Sequence, residues 1–150
     1  MTNIIVMNRE NAKKYSYEIH DETSVIISIY DTTDSPNHFN KYINNGIKAV
    51  LYVQFDDVDK TYIDNKNNIY NIAIDKTNAH KIVKFAKMYW DKVNTIIVHC
   101  GAGVSRSAAC AAAIAKYFTG SDDFIFDNFK YRPNMMVYRT VLNEFFNEEN

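Results

Sequence analysis

One short segment of the sequence combines a nucleophile, two glycines and an arginine: His99-Cys100-Gly101-Ala102-Gly103-Val104-Ser105-Arg106-Ser107. An ionised cysteine is a strong nucleophile, and the planar guanidinium of an arginine binds two oxygens of one anion. Glycine allows the main chain to take positive φ, so that consecutive N–H groups can converge on one oxyanion. The segment therefore predicts a cysteine nucleophile beneath a bound phosphate-like group.

The residues on both sides of this segment predict a strand before it and a helix after it. The β-branched run TIIVHC ends in the cysteine, and residues 105–119 are apolar almost all round, which is typical of a buried helix. Because N–H groups at a helix start carry partial positive charge, we expect them to stabilise both an oxyanion and the Cys100 thiolate. A buried structural cysteine would explain Cys100 alone, but not the glycines and Arg106 beside it.

The segment resembles the active-site motif of the cysteine-dependent protein tyrosine phosphatases, in particular their small dual-specificity-like group. That motif has His-Cys, two residues, Gly, two residues, Arg, and then Ser or Thr. Every fixed position is matched here, by His99, Cys100, Gly103, Arg106 and Ser107. The resemblance is strong from about residue 47 to 146 and is only architectural before that.

The resemblance implies a role for each residue of the segment. Cys100 attacks phosphorus and forms a phosphocysteine, Arg106 binds the phosphoryl oxygens, and Ser107 eases departure of the thiolate. His99 orients the cysteine and is not the proton donor. The phosphate-binding residues are then Gly101, Ala102, Gly103, Val104, Ser105 and Arg106.

A phosphatase of this kind needs a carboxylic acid at the leaving oxygen. The loop after the strand IKAVLYVQF (47–55) offers Asp56 and Asp57, because loops at the carboxyl ends of parallel strands share one edge of the sheet. QFDDV also resembles the PFDDG stretch of the regenerating-liver phosphatases, where the second Asp is the acid. We therefore expect Asp57 to be the acid, with Asp56 as the second candidate. Asp75 is a further alternative, although an Asp just before a helix also favours the helix N-terminus.

Two residues outside the segment have two interpretations each. YRPNMMVYRTVL resembles the stretch that precedes the last helix of the family, which implies that Asn134 ties the cysteine loop to that helix. Asn134 could equally be a simple N-cap, and the two roles are compatible. Cys110 falls in the Ala-rich helix and is expected in the core, with redox pairing to Cys100 as the alternative.

Strand and helix patterns alternate along the whole chain. Residues 3–7, TSVIISIYD, 47–55 and TIIVHC predict strands, while 76–92, 105–119 and NMMVYRTVLNEFF predict helices. Ser35-Pro36 and Gly46 predict a helix between them, and the polar stretch after residue 55 has the composition of a loop. We expect one phosphatase domain over 1–150, a three-layer α/β fold with a mainly parallel sheet of four to five strands and helices on both faces.

Composition excludes several classes of partner and cofactor. A net charge of −1 predicts no nucleic-acid partner, and no apolar run approaches the length of a membrane span. No export signal is evident, and two cysteines on one strand–turn–helix unit predict a reducing, cytoplasmic location. The histidines are scattered without ligand spacing, so we expect no metal and no cofactor.

The expected substrate is a phosphorylated protein, chiefly at phosphotyrosine and also at phosphoserine or phosphothreonine, by likeness to the family. None of the residues inside the loop is basic, which disfavours a phosphoinositide or an RNA 5′-phosphate. Those non-protein phosphates stay open as alternatives, as does a phosphate-binding pseudophosphatase. A thiol enzyme of the rhodanese or arsenate-reductase type is disfavoured, because its loop lacks the Gly103, Arg106 and Ser107 combination.

Overall fold

The computed structural model describes residues 1–36, 38–39 and 46–147. Its strands are β1 (Asn3–Met7), β2 (Ser24–Tyr30), β3 (Ile47–Gln54), β4 (Tyr62–Asp64), β5 (Ile69–Asn71) and β6 (Thr95–His99). Four of them form a parallel sheet in the order β1-β6-β2-β3, and β4 pairs with β5 in a separate antiparallel hairpin. The carboxyl ends of β6, β2 and β3 therefore lie side by side at one edge of the sheet.

The helices are α1 (Arg9–Ser16), α2 (Lys76–Tyr89), α3 (Arg106–Thr119), α4 (Asp123–Phe126) and α5 (Met135–Asn147). Helices α2, α3 and α5 share the larger core with one face of the sheet, and α1 contributes Ala12 to a smaller core on the other face. This is the predicted three-layer α/β arrangement with a parallel sheet of four strands, and the prediction is confirmed. None of the helices in the described ranges has the length and apolar content needed to cross a membrane.

The central strands are buried on both faces because their apolar runs have no polar alternation. In β2, Val25 and Ile27 pack in the larger core, and Ile26 between them packs in the smaller one. Helix α3 is rich in alanine, and every residue from Arg106 to Ala115 is buried. Cys110 lies fully buried in the middle of that helix, as expected for a core residue, and burial raises the pKa of its thiol.

Several predicted ends differ from the structure by a few residues. The helix predicted over 76–92 ends at Tyr89, and the strand predicted over 47–55 ends at Gln54. The helix predicted over 105–119 begins at Arg106, with Ser105 as its N-cap and Gly120 in the left-handed conformation at its C-terminus. The helix predicted between Ser35 and Gly46 lies largely outside the described residues.

The prediction of a plain loop after residue 55 is wrong, because β4 and β5 form a hairpin there. Short side-chain interactions define its turn: the carboxylate of Asp64 accepts hydrogen bonds from the main-chain N–H groups of Lys66 and Asn67, and Asn68 has a φ of 55°. Asp and Asn favour such turns for this reason. The strands are only three residues long each, too short for their alternation to stand out in the sequence.

Candidate active site

The loop between β6 and α3 lies at the carboxyl edge of the sheet, beside the ends of β2 and β3. Strand β6 ends at His99, α3 begins at Arg106, and Cys100 is the first residue of the loop between them. The hydroxyl of Ser105, the N-cap residue, makes no capping hydrogen bond to the helix. The positive end of a fourteen-residue helix therefore faces the loop without a side-chain cap.

Gly103 is the position where the loop requires glycine. Its φ is 70°, and an added Cβ would lie 2.7 Å from the N atom of Asn8 and 2.7 Å from the C atom of Met7. Gly101 differs from expectation: its φ is outside the left-handed region, and a Cβ there would meet nothing within 4 Å. Of the two loop glycines, Gly103 therefore makes the close approach to the end of β1, and Gly101 does not.

Several main-chain carbonyls of the loop are bonded to other parts of the chain. Three of them accept hydrogen bonds from N–H groups elsewhere in the chain: Gly101 from Arg9 at 3.0 Å, Val104 from Arg132 at 3.0 Å and Ser105 from Asn134 at 3.2 Å. In a trans peptide the carbonyl and the following N–H point in opposite directions, so the N–H groups after these carbonyls turn away from the outer partners. Within the described part of the chain, no main-chain N–H of residues 101–105 donates a hydrogen bond.

Cys100 is buried at the base of this loop, with 3% of its surface exposed. Its Sγ lies 3.1 Å from Oγ of Ser107, in the first turn of α3. A hydroxyl at that distance can donate to a thiolate, and it sits on the helix whose positive end also favours the sulfur anion. The structure brings these two residues together.

Arg106 is buried at the start of α3, with 6% of its surface exposed. Its Nη1 donates to the carbonyl oxygen of Phe55 at 2.7 Å and lies 2.6 Å from Oδ1 of Asp31. Its Nε is buried without a hydrogen-bond partner in the described residues. An unpaired buried N–H of a charged group is costly, and a bound oxyanion would satisfy it.

His99 is held neutral beneath the loop. The pKa of His99 is lowered to about 4, chiefly by burial and also by the charges of Arg9 and Arg106, against the opposing effect of a hydrogen bond to Cys100. Its Nδ1 lies 3.3 Å from the carbonyl oxygen of Cys100, which can only accept, so Nδ1 carries the proton. Nε2 therefore accepts from the hydroxyl of Ser28, at 2.7 Å. His99 is thus a neutral histidine that is hydrogen-bonded at both ring nitrogens beneath the loop.

Asp57 lies across the mouth of the loop from Cys100. Its Oδ1 accepts a hydrogen bond from Oγ of Ser105 at 2.8 Å and another from Nδ2 of Asn134 at 2.9 Å. Asp57 and Cys100 line the same pocket of about 420 Å³, with Ala102, Val104, Ser105, Arg106 and Arg132. Asn134 also accepts from the N–H of Val137, so it caps α5 and holds the Asp57 loop at once.

The two other candidate acids are engaged elsewhere. Asp56 is buried, and its carboxylate accepts hydrogen bonds from the N–H and hydroxyl of Thr32 and from the N–H of Ile72. Burial raises the pKa of Asp56, but these hydrogen bonds and the charge of Arg106 outweigh burial and lower it overall. Asp75 caps α2 by accepting from the N–H of Asn78, which is the helix-capping role considered for it. Neither lines the pocket of Cys100.

The sequence reasoning missed Asp31 and Arg132. Asp31 directly follows the buried strand β2, whose carboxyl end adjoins β6, and this is the same signal that selects Asp57 after β3. Arg132 lies on the rim of the pocket, in the stretch YRPNMMVYRTVL, from which the sequence predicts a role for Asn134 alone.

Comparison with known proteins identifies the fold. No protein-family model and no curated protein matches the sequence. Human DUSP28 has a similar structure, with a TM-score of 0.65 at 14% identity over 97% of this chain and 93% of that chain. PTPMT1 in complex with PI(5)P has a TM-score of 0.58 at 15% identity over 97% and 91%. OH1 of the Orf virus, a tyrosine phosphatase, has a TM-score of 0.56 at 20% identity over 97% and 83%.

The chain has the fold of the tyrosine and dual-specificity phosphatases. This confirms, at the level of the fold, the resemblance carried by the motif around Cys100. In this phosphatase fold the loop between β6 and α3, the end of β3 and the start of α5 meet at one pocket, although they are distant in sequence.

Proposed function

We propose that this protein is a cysteine-dependent phosphatase that hydrolyses phosphate monoesters on proteins. Phosphotyrosine is the principal substrate, and phosphoserine and phosphothreonine are secondary ones. The observation that carries the proposal is the surroundings of Cys100: a loop of unpaired main-chain N–H groups, an uncapped helix start, and a buried Arg106 whose Nε has no hydrogen-bond partner in the described residues. Together these form a cradle for a tetrahedral oxyanion with a nucleophile at its base.

The first chemical step transfers the phosphoryl group to sulfur. The Cys100 thiolate attacks phosphorus, a P–S bond forms, and the P–O bond to the leaving group breaks. Asp57 in its protonated form gives its proton to the leaving oxygen. Both hydrogen bonds from Ser105 and Asn134 go to Oδ1, which leaves Oδ2 to carry the proton. The loop N–H groups and Arg106 bind the three non-bridging oxygens throughout.

The second step releases inorganic phosphate. A water attacks phosphorus, the Asp57 carboxylate takes a proton from it, and the P–S bond breaks to return the thiolate. The hydroxyl of Ser107, 3.1 Å from Sγ, stabilises the departing thiolate by donating to it. His99 keeps the loop in place and exchanges no proton with the substrate.

A protein substrate fits the pocket better than a polyphosphorylated one. Inside the loop, Gly101, Ala102, Val104 and Ser105 carry no charge, so Arg106 is the cation that the loop itself offers to a phosphoryl group. The second cation of the pocket, Arg132, lies on its rim. PTPMT1 was crystallised with PI(5)P, and OH1 displays triple substrate specificity, so the same fold serves more than one substrate class. The comparison of substrates is therefore part of the test.

The test is hydrolysis of p-nitrophenyl phosphate and of a phosphotyrosine peptide by the wild type, Cys100→Ser and Asp57→Asn. We expect Cys100→Ser to fall to background while still binding vanadate, and Asp57→Asn to lose about a hundredfold in kcat on the peptide. Loss on p-nitrophenyl phosphate should be smaller, because its leaving group needs less protonation. Activity that survives Cys100→Ser refutes the phosphocysteine mechanism, and an unchanged Asp57→Asn refutes the assignment of the acid.

The same panel includes a phosphoinositide and an RNA 5′-phosphate. A higher kcat/KM on either of these than on the phosphotyrosine peptide would replace the proposed substrate class and leave the mechanism intact. Vanadate and phosphate binding without turnover of any member would identify a phosphate-binding pseudophosphatase instead.

A further inference from the structure

Arg106 uses only one side of its guanidinium in the resting structure. Nη1 donates a hydrogen bond to the carbonyl oxygen of Phe55, at 2.7 Å, and forms an ion pair with Oδ1 of Asp31, at 2.6 Å. The opposite edge, formed by Nε and Nη2, makes no hydrogen bond within the described part of the chain, and Nε is fully buried. That edge presents two parallel N–H donors, the arrangement that binds two oxygens of one phosphoryl group.

The hydrogen bond to Phe55 and the ion pair with Asp31 both hold the guanidinium at Nη1. The carbonyl acceptor alone would leave the side chain free to rotate about that hydrogen bond. The attraction of the Asp31 carboxylate opposes this rotation, and its negative charge balances a buried positive charge. Phe55 and Asp31 follow β3 and β2, so the carboxyl ends of two strands hold the arginine that begins α3.

Asp31 is itself held in position by its neighbours. The side-chain amide of Gln54 donates to the main-chain oxygens of Asp31 and Thr32, at 3.2 and 3.1 Å. Asp56 accepts from both the N–H and the hydroxyl of Thr32, at 2.9 and 2.8 Å. The turn after β2 is thus fixed from two sides, one exposed and one buried. The carboxylate of Asp56, which is not assigned as the acid, therefore serves to hold this turn.

We propose that Asp31 is a positioning residue, which orients Arg106 so that its Nε–Nη2 edge faces the phosphoryl group. The inference rests on the proposed function and names a further residue on which that function depends. Asp31 touches the arginine and not the substrate. Its carboxylate pairs with Nη1, on the side of the guanidinium opposite the Nε–Nη2 edge, and its side chain is 42% exposed. Water therefore screens its repulsion of a bound phosphate.

The test measures the dissociation constant of inorganic phosphate, together with kcat and KM for p-nitrophenyl phosphate. Asp31→Asn removes the charge from the pair with Arg106. Since an ion pair with a partly exposed partner contributes up to about 1 kcal/mol, phosphate affinity should fall about fivefold, and kcat should fall with it. Asp31→Glu keeps the charge and should recover part of both losses. The matched control is Asp34→Asn in the same turn, since Asp34 pairs with Arg9 at 3.6 Å and is 48% exposed.

A purely structural role for Asp31 predicts a different pattern. In that case Asp31→Asn lowers Tm while phosphate affinity, measured below Tm, stays within about twofold of the wild type. In the Arg106→Ala background, Asp31→Asn should bring no further loss of phosphate affinity, because the residue acts through the arginine. A further loss of the same size in that background overturns the proposal.

Gln54→Ala provides a second route if Asp31→Asn does not fold. It removes two hydrogen bonds from the exposed side of the turn and leaves the Asp31 carboxylate in place. We expect phosphate affinity to fall about threefold, less than for Asp31→Asn, because the Asp31 carboxylate stays and only part of the loss of two neutral hydrogen bonds reaches Arg106. Unchanged phosphate affinity in Gln54→Ala refutes the inference. Phosphate binding is measured independently of turnover, so an inactive wild type that binds phosphate refutes the proposed function alone.

Discussion

Replacing Gly103 with alanine adds one methyl group where the backbone has a φ of 70° and an ideal Cβ would lie 2.7 Å from main-chain atoms of both Met7 and Asn8. The left-handed conformation costs a non-glycine residue about 1–2 kcal/mol. Relieving an overpacked contact costs about 1–3 kcal/mol, and here the atoms that must move are main-chain atoms at the end of β1. We therefore expect the free energy of unfolding to fall by about 3 kcal/mol, which lowers Tm by roughly 10 °C for a chain of this length.

The matched control is Gly101→Ala, in the same loop. A Cβ at Gly101 would meet nothing within 4 Å, and the residue has an ordinary φ. We expect the free energy of unfolding to change by less than about 0.5 kcal/mol. Thermal and urea unfolding of both variants and the wild type measure the difference directly. If the two variants lose equal stability, the close approach between Gly103 and β1 does not exist in solution.

The same substitution should also weaken anion binding. The N–H of Arg9, next to Asn8, donates to the carbonyl of Gly101, so a shift of the β1 end carries the loop with it. Inorganic phosphate binding by Gly103→Ala should therefore weaken at least tenfold, an effect of about 1.4 kcal/mol. Phosphate affinity equal to that of the wild type would show that the loop does not form the oxyanion cradle.

Two further predictions concern the groups beside the pocket. Asp75→Ala removes the N-cap of α2 and should lower the free energy of unfolding by about 1 kcal/mol. We expect kcat for p-nitrophenyl phosphate to stay unchanged. A large fall in kcat would instead identify Asp75 as the acid. Because the pKa of His99 is lowered to about 4, its contribution to stability is complete above pH 6.5 and is lost as pH falls toward 4. We expect the free energy of unfolding, measured in urea, to fall by roughly 3 kcal/mol between pH 6.5 and pH 4 because of His99. The variant His99→Gln has no titrating group at this position and should lose less over the same pH range. Equal losses in the two proteins would contradict a buried neutral histidine.

The local features of the site could be predicted because they depend on neighbouring residues. The strand before Cys100, the helix after it and the need for Gly103 follow from β-branched runs, apolar periodicity and the conformational freedom of glycine. The helix-capping role of Asp75 follows in the same way, from an Asp just ahead of a helical pattern. The hairpin formed by β4 and β5 escaped prediction because its strands are too short for their pattern to outweigh the polar residues around them.

Distances between strand ends could not be predicted, and they decided the roles of the acidic residues. Asp56 and Asp57 are adjacent in sequence, yet one carboxylate is buried under the turn after β2 and the other lines the pocket. The sequence could not predict that Asp31 pairs with Arg106 either, because that pairing depends on which strand lies next to β6.

By itself the sequence determined a nucleophile, a loop able to surround an oxyanion, and the alternating elements that hold them. Only the tertiary structure decided which carboxylate faces Cys100 and that Asp31 holds Arg106. The reason is physical: hydrogen bonds between near neighbours in sequence fix the conformation of the backbone, whereas strand order sets which distant side chains meet. Ser105 and Asn134 reach Asp57 across 48 and 77 residues of chain, and the sheet together with the packing of α5 against α2 and α3 closes that separation.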